Sequence, residues 1–294
     1  MTIVRKLEDQ PSGHEWVKSA DPEPRLQRQG GKMSARLSRL AARSLSNFRS
    51  LPPIVLNRVK NRPPVYPVLD WKLPLCFCLT IIFIAVLVLD APLASFRGLW
   101  SPGIVAAAER TSGAGWAWWY IMPALGVALA VNLADWRRRT RRQLLVLYNW
   151  TCLSIFTLVV IGLFGLVVAL GRRFIGRARP QFFADSGVLS FNPFAMDPYY
   201  SSLPSGHAAT VGALAGGLVL FFPKSRYVVI PVAIWLAATR AVEGAHYPSD
   251  VVAGLALGFG ASVLTAIVFA RLGYVFRQKP AGLPEVKRSF RVLW

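Results

Sequence analysis

Long apolar stretches alternate with short polar ones between residues 73 and 270. A helix needs about 20 apolar residues to cross the roughly 30 Å hydrocarbon core of a bilayer, so stretches of this kind predict transmembrane helices. The stretches cover residues 73–93, 116–134, 145–170, 206–222, 226–241 and 250–270. The pattern predicts an all-α, polytopic membrane protein whose six transmembrane helices form one domain, residues 73–272.

The fifth stretch is the weakest of the six, because Pro231 lies inside it and Arg240 lies near its end. The alternative interpretation is a buried helix that does not cross the membrane. The charges between the stretches favour a crossing, since six spans place the basic segments on one side of the bilayer.

The composition excludes an ordinary soluble domain. The hydrophobic fraction is 54%, the mean hydropathy is +0.41 and the formal net charge is +20. Basic residues follow the second, fourth and sixth stretches, and basic residues in short loops mark the cytoplasmic side. They are Arg137, Arg138, Arg139, Arg141, Arg142, Lys224, Arg226, Arg271, Arg277, Lys279, Lys287, Arg288 and Arg291. Both termini are therefore predicted to be cytoplasmic.

The loops on the other side carry fewer net positive charges, with one exception. The first loop is charge-balanced, with Asp90, Arg97, Glu109 and Arg110, and acidic residues follow the fifth span. The exception is the segment 171–205, which carries four arginines: Arg172, Arg173, Arg177 and Arg179. A guanidinium offers a planar fork of donors that matches phosphate oxygens, so these arginines predict an anion site. The alternative is that they anchor the loop to anionic lipid headgroups.

Further polar residues meet this loop at the same predicted membrane level. His207 opens the fourth span, Arg240 closes the fifth, and His246 with Asp250 opens the sixth. A single histidine at a helix end usually caps or packs. Two of the chain's three histidines beside arginines at one level favour phosphate chemistry instead.

These residues form three ordered motifs that resemble those of the type 2 phosphatidic acid phosphatase superfamily. The motifs are Arg172-x6-Arg179-Pro180, Pro204-Ser205-Gly206-His207 and Thr239-Arg240-x5-His246-x3-Asp250. The family pattern is K-x6-R-P, P-S-G-H and S-R-x5-H-x3-D, so the spacing is complete. Arg172 stands where lysine is usual and Thr239 where serine is usual, and the first change replaces a point charge with a fork. The resemblance covers about residues 145–272.

The resemblance implies a role for each matching residue. His246 would attack phosphorus and form a phosphohistidine, while Asp250 accepts a hydrogen bond from its ring. His207 would protonate the leaving oxygen and later activate water. The phosphate would be bound by Arg172, Arg179, Ser205, Gly206 and Arg240, with glycine allowing close backbone approach at a helix start.

No cofactor and no metal are expected, because the arginines would neutralise the transferring phosphate. Cys76, Cys78 and Cys152 lie inside apolar stretches and are predicted to pack there rather than to bind metal or form a disulfide. His14 lies among polar residues near the N-terminus and has no predicted role.

The two ends of the chain are predicted to be separate basic regions. Residues 1–72 are rich in proline and arginine, without the pattern of a cleavable signal peptide. Helical spacing of Met33, Leu37, Leu40, Ala41, Leu45 and Phe48 predicts an amphipathic helix on the inner leaflet, and a disordered tail is the alternative. Residues 273–294 are predicted to be a basic cytoplasmic tail. No nucleic-acid motif accompanies the pI near 10.9, so no nucleic-acid partner is expected.

The leading hypothesis is a phosphatase of the bacterial inner membrane, acting on a phosphorylated lipid at the periplasmic face. Lipid A is favoured over undecaprenyl pyrophosphate and phosphatidylglycerol phosphate, because Arg173 and Arg177 add charge beyond the motifs. Two alternatives remain open: phosphotransfer between lipids, and a lipid transporter that binds a headgroup without chemistry. The sequence leaves the oligomeric state open.

Overall fold

A computed structural model of the chain describes residues 70–96, 100–136, 139–279, 282–288 and 290. It also describes residues 35, 37–42, 44–47, 49, 53, 56, 57 and 59–61. The chain divides into two compact units, Met1–Pro52 and Pro53–Trp294. In the first unit, the described positions between 35 and 49 are helical, in line with the predicted amphipathic helix. Membrane contact by this helix stays a prediction, and His14, Met33 and Phe48 lie outside the described residues.

The second unit is built mainly from helices. They are α1 (Lys72–Ser95), α2 (Pro102–Ser112), α3 (Trp118–Leu133), α4 (Arg141–Ile175), α5 (Gly206–Phe221), α6 (Arg226–Val242) and α7 (Pro248–Arg271). One π-helical turn interrupts α1 at Ala85–Leu89 and another interrupts α4 at Leu158–Leu163. Short 3₁₀ turns lie at Gly113–Gly115, Pro180–Phe182, Pro198–Tyr200 and Pro223–Ser225, and a one-turn α-helix lies at Phe183–Ser186.

The helices confirm an all-α, multi-pass membrane fold. Five segments of the described chain are long and apolar enough to cross a bilayer: Lys72–Ser95, Pro102–Leu133, Arg141–Ile175, Pro223–Val242 and Pro248–Arg271. The remaining predicted span, α5, is apolar but has 16 residues, a length of about 24 Å. Most of its residues are buried by protein. The count of six crossings and the side of the termini stay predictions.

Helices α5 and α7 run parallel and pack closely through glycine. A Cβ on Gly258 would lie 1.9 Å from the carbonyl oxygen of Ala209, and a Cβ on Gly254 would lie 2.4 Å from that of Ser205. Ser262 also donates a 2.6 Å hydrogen bond to the carbonyl of Ala213. Small residues let helix backbones approach where lipid supplies no hydrophobic drive. This packing brings the N-termini of the two helices together, and both predicted histidines lie there.

The segment 273–294, predicted to be a basic tail, has regular structure and packs against the helices where it is described. Strands β1 (Phe276–Arg277) and β2 (Glu285–Val286) form an antiparallel pair. Phe276 and Phe290 are buried in an aromatic cluster with Phe156, Phe221 and Phe269 of the helices. Cys152 packs in the same core as predicted, whereas Cys76 is exposed, and all three cysteines are free thiols.

Candidate active site

The first motif straddles the end of α4. The helix ends at Ile175 and is capped by Gly176, whose φ of 62° is left-handed. A Cβ on Gly176 would lie 1.8 Å from the carbonyl oxygen of Asn192. Only glycine fits such a position. The turn leaves Arg172 on the last turn of α4 and places Arg177 and Arg179 in the chain that follows. The first motif therefore carries arginines both on the helix and in the chain that follows it.

Three predicted arginines meet at the site. The Nε atoms of Arg172, Arg179 and Arg240 are buried without a hydrogen-bond partner in the described part of the chain. Arg172 lies over the start of α5, since a Cβ on Gly206 would be 3.5 Å from its Nη2. The charges of all three arginines act on His246. Together they form a half-buried cationic cradle suited to a phosphate.

Two of these arginines have partners that the motifs do not include. Arg179 Nη2 donates to Ser201 Oγ at 3.2 Å. Arg240 Nη1 forms an ion pair with Glu243, three residues further along the chain. The Glu243 carboxylate therefore lies beside the cradle, where a phosphate oxygen would compete with it for Arg240.

His246 is buried, with 3% of its surface exposed, in the turn between α6 and α7. Its Nδ1 lies 2.8 Å from the carbonyl oxygen of Ser202. A carbonyl only accepts, so Nδ1 carries the hydrogen and Nε2 keeps its lone pair. Burial, followed by the charges of Arg179, Arg240 and Arg172, lowers the pKa of His246 well below 6.5. The ring is therefore neutral at neutral pH.

The expected bond between Asp250 and the His246 ring is wrong. The Asp250 carboxylate instead accepts from Arg177 Nη1 at 2.6 Å, Ser202 Oγ at 2.5 Å and the Tyr247 amide at 3.1 Å. Asp250 lies in the first turn of α7, where its side chain folds back to cap the helix and so turns away from the ring. In the described residues, Ser202 links the Asp250 carboxylate to the His246 ring.

His207 lies in the first turn of α5. Its Nε2 is buried and has no hydrogen-bond partner among the described residues. Trp116 packs edge-on against the ring with centroids 5.9 Å apart, and a Cβ on Gly115 would lie 3.1 Å from His207 Cδ2. Ser205 is fully buried and caps α5 by accepting a 3.4 Å bond from the Ala208 amide. Trp116 and Gly115 belong to no motif and were not predicted.

Arg177 binds protein carboxylates, so it does not supply the additional charge on which the preference for lipid A was based. The side chain is 2% exposed and forms ion pairs with Asp90 at 2.8 Å and Asp250 at 2.6 Å. Burial acts to lower the pKa of Arg177, but the two carboxylates outweigh burial and raise it. Arg173 Nη1 donates to the Met196 carbonyl at 2.8 Å. Both arginines bind protein groups.

The described residues contain no group of three His, Cys, Asp or Glu side chains that could hold a metal ion. Metal independence stays a prediction.

Comparisons with known proteins agree with the motifs. The family model described as PAP2 superfamily matches residues 153–274. A "Lipid A 1-phosphatase" of Rhizobium johnstonii is 40% identical over 229 residues, which are 76% of this chain and 91% of that protein. A "Lipid A 1-phosphatase" of Rhizobium etli is 39% identical over 227 residues, 76% of this chain and 96% of that protein.

A solved structure is also similar. It is a transmembrane PAP2 type phosphatidylglycerolphosphate phosphatase from Bacillus subtilis, 17% identical with a TM-score of 0.45, and the match covers 65% of this chain and 92% of that one. The family model covers all three motifs, and the two Rhizobium relatives are 40% and 39% identical over 76% of the chain. The chain therefore belongs to the PAP2 superfamily and is a multi-pass membrane phosphatase.

Proposed function

We propose that the chain removes the 1-phosphate of lipid A through a phosphohistidine at His246. One observation carries the chemistry: a buried, neutral imidazole whose Nδ1–H is held by Ser202 and whose ring lies in the field of three arginines. The substrate follows from the two Rhizobium relatives, since both are named for it and the match covers 91% and 96% of their lengths.

In the first step, His246 Nε2 attacks phosphorus while the bond from phosphorus to the sugar oxygen breaks. His207 donates its proton to that oxygen, so the sugar oxygen leaves as a neutral hydroxyl group. Arg172, Arg179 and Arg240 bind the equatorial oxygens, where positive charge stabilises the transition state. The amides at the start of α5 add donors for the same oxygens.

In the second step, His207 is neutral and accepts a proton from water. The resulting hydroxide attacks phosphorus and the P–N bond breaks, which releases inorganic phosphate and restores His246. Asp250 is a positioning residue in this scheme, because it binds Ser202, whose carbonyl holds His246.

We also place the reaction at the periplasmic face of the inner membrane. The site lies at the start of α5 and α7 and at the end of α4 and α6. The predicted topology puts these four helix ends opposite the basic loops.

Purified protein in detergent tests the proposal with lipid A that carries both phosphates. Wild-type protein should release one phosphate per lipid, and mass spectrometry should show loss at the 1-position. His246→Ala should reduce kcat by about 10³-fold or more, because it removes the nucleophile. His14→Ala is the matched control and should leave kcat unchanged.

The same assay separates the alternatives. Undecaprenyl pyrophosphate and phosphatidylglycerol phosphate are tested beside lipid A, and a strong preference for either would overturn the substrate. An acceptor lipid is added in a second arm, and phosphate found on the acceptor with none free would show transfer instead of hydrolysis. Full turnover by His246→Ala would overturn the mechanism.

A further inference from the structure

Asp90 is a fully buried carboxylate outside all three motifs and outside the region that the family model matches. The charge pattern placed it in a balanced loop, but it lies within α1, directly after the π-helical turn Ala85–Leu89. A buried carboxylate in a membrane helix is unfavourable unless other groups compensate its charge and satisfy its oxygens.

Among the described residues, the hydrogen-bond partners of Asp90 come from two motif segments. Asp90 Oδ2 accepts from Arg177 Nη2 at 2.8 Å and from Ser249 Oγ at 2.5 Å. Asp90 Oδ1 accepts from the Ser249 amide at 3.0 Å. Ser249 lies in the first turn of α7, where backbone amides have no partner within their own helix. Asp90 therefore caps α7 from a different helix.

A continuous series of bonds links Asp90 to His246. Arg177 donates from Nη2 to Asp90 and from Nη1 to Asp250 at 2.6 Å. Asp250 accepts from Ser202 Oγ at 2.5 Å, and the carbonyl of Ser202 holds His246 Nδ1 at 2.8 Å. The Ser202 amide also donates to the Arg177 carbonyl at 3.0 Å. Asp90 is thus tied both to the start of α7, which follows His246, and to Ser202, whose carbonyl binds the His246 ring.

We propose that Asp90 is a positioning residue for the reaction: it fixes the start of α7 and the Arg177 guanidinium, and thereby holds the His246 ring against the Ser202 carbonyl. The inference rests on the proposed role of His246 as nucleophile. Asp90 bonds to none of the three cradle arginines in the described residues, so it acts on the nucleophile rather than on phosphate binding.

The test compares Asp90→Asn with Asp70→Asn, an exposed aspartate just before α1 that accepts from the Lys72 amide. Asparagine keeps the size of the side chain but removes the charge that binds Arg177. Asp90→Asn should lower kcat for lipid A by about 10- to 100-fold, the range expected when a reacting group is slightly misplaced. KM and the inhibition constant of inorganic phosphate should stay within about twofold. Asp70→Asn should match wild type.

The outcomes separate this inference from the proposed function. Unchanged kcat in Asp90→Asn, with His246→Ala inactive, overturns the role of Asp90 alone, whereas an active His246→Ala overturns the function as well. Equal loss of kcat and phosphate affinity shows a structural role and also overturns the inference.

If Asp90→Asn does not fold in detergent, Ser249→Ala replaces it, because that change removes two hydrogen bonds, the one donated to Asp90 and the one accepted from Arg177, and no charge. A fall in kcat of about threefold or more at constant phosphate affinity supports the inference. Full kcat, or failure of both variants to fold, overturns it.

Discussion

A histidine can attack phosphorus only when its ring is neutral and the attacking nitrogen keeps its lone pair. At His246, burial and three nearby guanidinium groups keep the ring neutral, and the Ser202 carbonyl fixes the tautomer. The motifs single out His246, and the charges of the three predicted arginines act on its ring. The family resemblance implied a bond from the ring to Asp250, but His246 precedes the helix that carries Asp250, and its ring binds the Ser202 carbonyl instead.

The lowered pKa of His246 predicts the pH dependence of kcat/KM, which reports the free enzyme. Because the ring stays neutral below pH 6.5, activity should persist as the pH falls through 6.5 and decline only nearer the lowered pKa. Arg179→Gln removes one positive charge that opposes protonation of the ring, so it should raise the pKa of His246 and move the acid limb to higher pH.

The matched control for this measurement is Arg173→Gln. Arg173 is the neighbour of Arg172, but its charge is not among those that lower the pKa of His246. The acid limb should keep its position in this variant. A limb that moves to lower pH in Arg179→Gln would contradict the electrostatic account.

At the scale of elements, the site depends on two parallel helices that start at the same level. Helix α5 supplies His207 with its capping Ser205, and α7 begins just after His246. The Ser205 amide donates to the Asp250 carbonyl at 3.0 Å, so the two helix starts are bonded directly. Glycines Gly254 and Gly258 set how closely the backbones approach. The packing of α5 against α7 therefore sets the distance between His207 and His246.

Gly258→Ala should destabilise the protein and reduce its activity. The added methyl would collide with the Ala209 carbonyl, and overpacking of this kind costs about 1–3 kcal/mol. Thermal unfolding in detergent and lipid A turnover measure the two effects. Gly260→Ala is the control on the same helix, because a Cβ there has nothing within 4 Å. Equal melting temperatures for the two variants would show that the close contact is unimportant.

The whole molecule combines a net charge of +20 with a site that must be reached by an anionic lipid. Basic residues after the second, fourth and sixth apolar stretches predict that these loops lie in the cytoplasm. The arginine-rich segment 171–205 is then on the other side. In this segment Arg177 binds two carboxylates, Arg173 binds a backbone carbonyl, and Arg172 and Arg179 belong to the cradle. The exception to the charge rule thus has a structural reason.

Labelling of single cysteines tests this topology in a variant whose Cys76, Cys78 and Cys152 are replaced by alanine. Leu189→Cys, at a position that is 69% exposed, should react with a membrane-impermeant maleimide in spheroplasts. Lys224→Cys, on the loop after α5, should react only after the membrane is permeabilised. Reaction at Lys224→Cys in intact spheroplasts would invert the orientation and place the site in the cytoplasm.

The sequence by itself determined the membrane class, the approximate helix positions and the residues of the three motifs. Hydropathy and motif spacing are properties of neighbouring residues, so they can be read along the chain. Only the tertiary structure decided which groups those residues bind. The bond from His246 to Ser202 joins residues 44 apart, and the bond from Asp90 to Ser249 joins residues 159 apart. Such contacts depend on how the helices pack, which no local pattern contains.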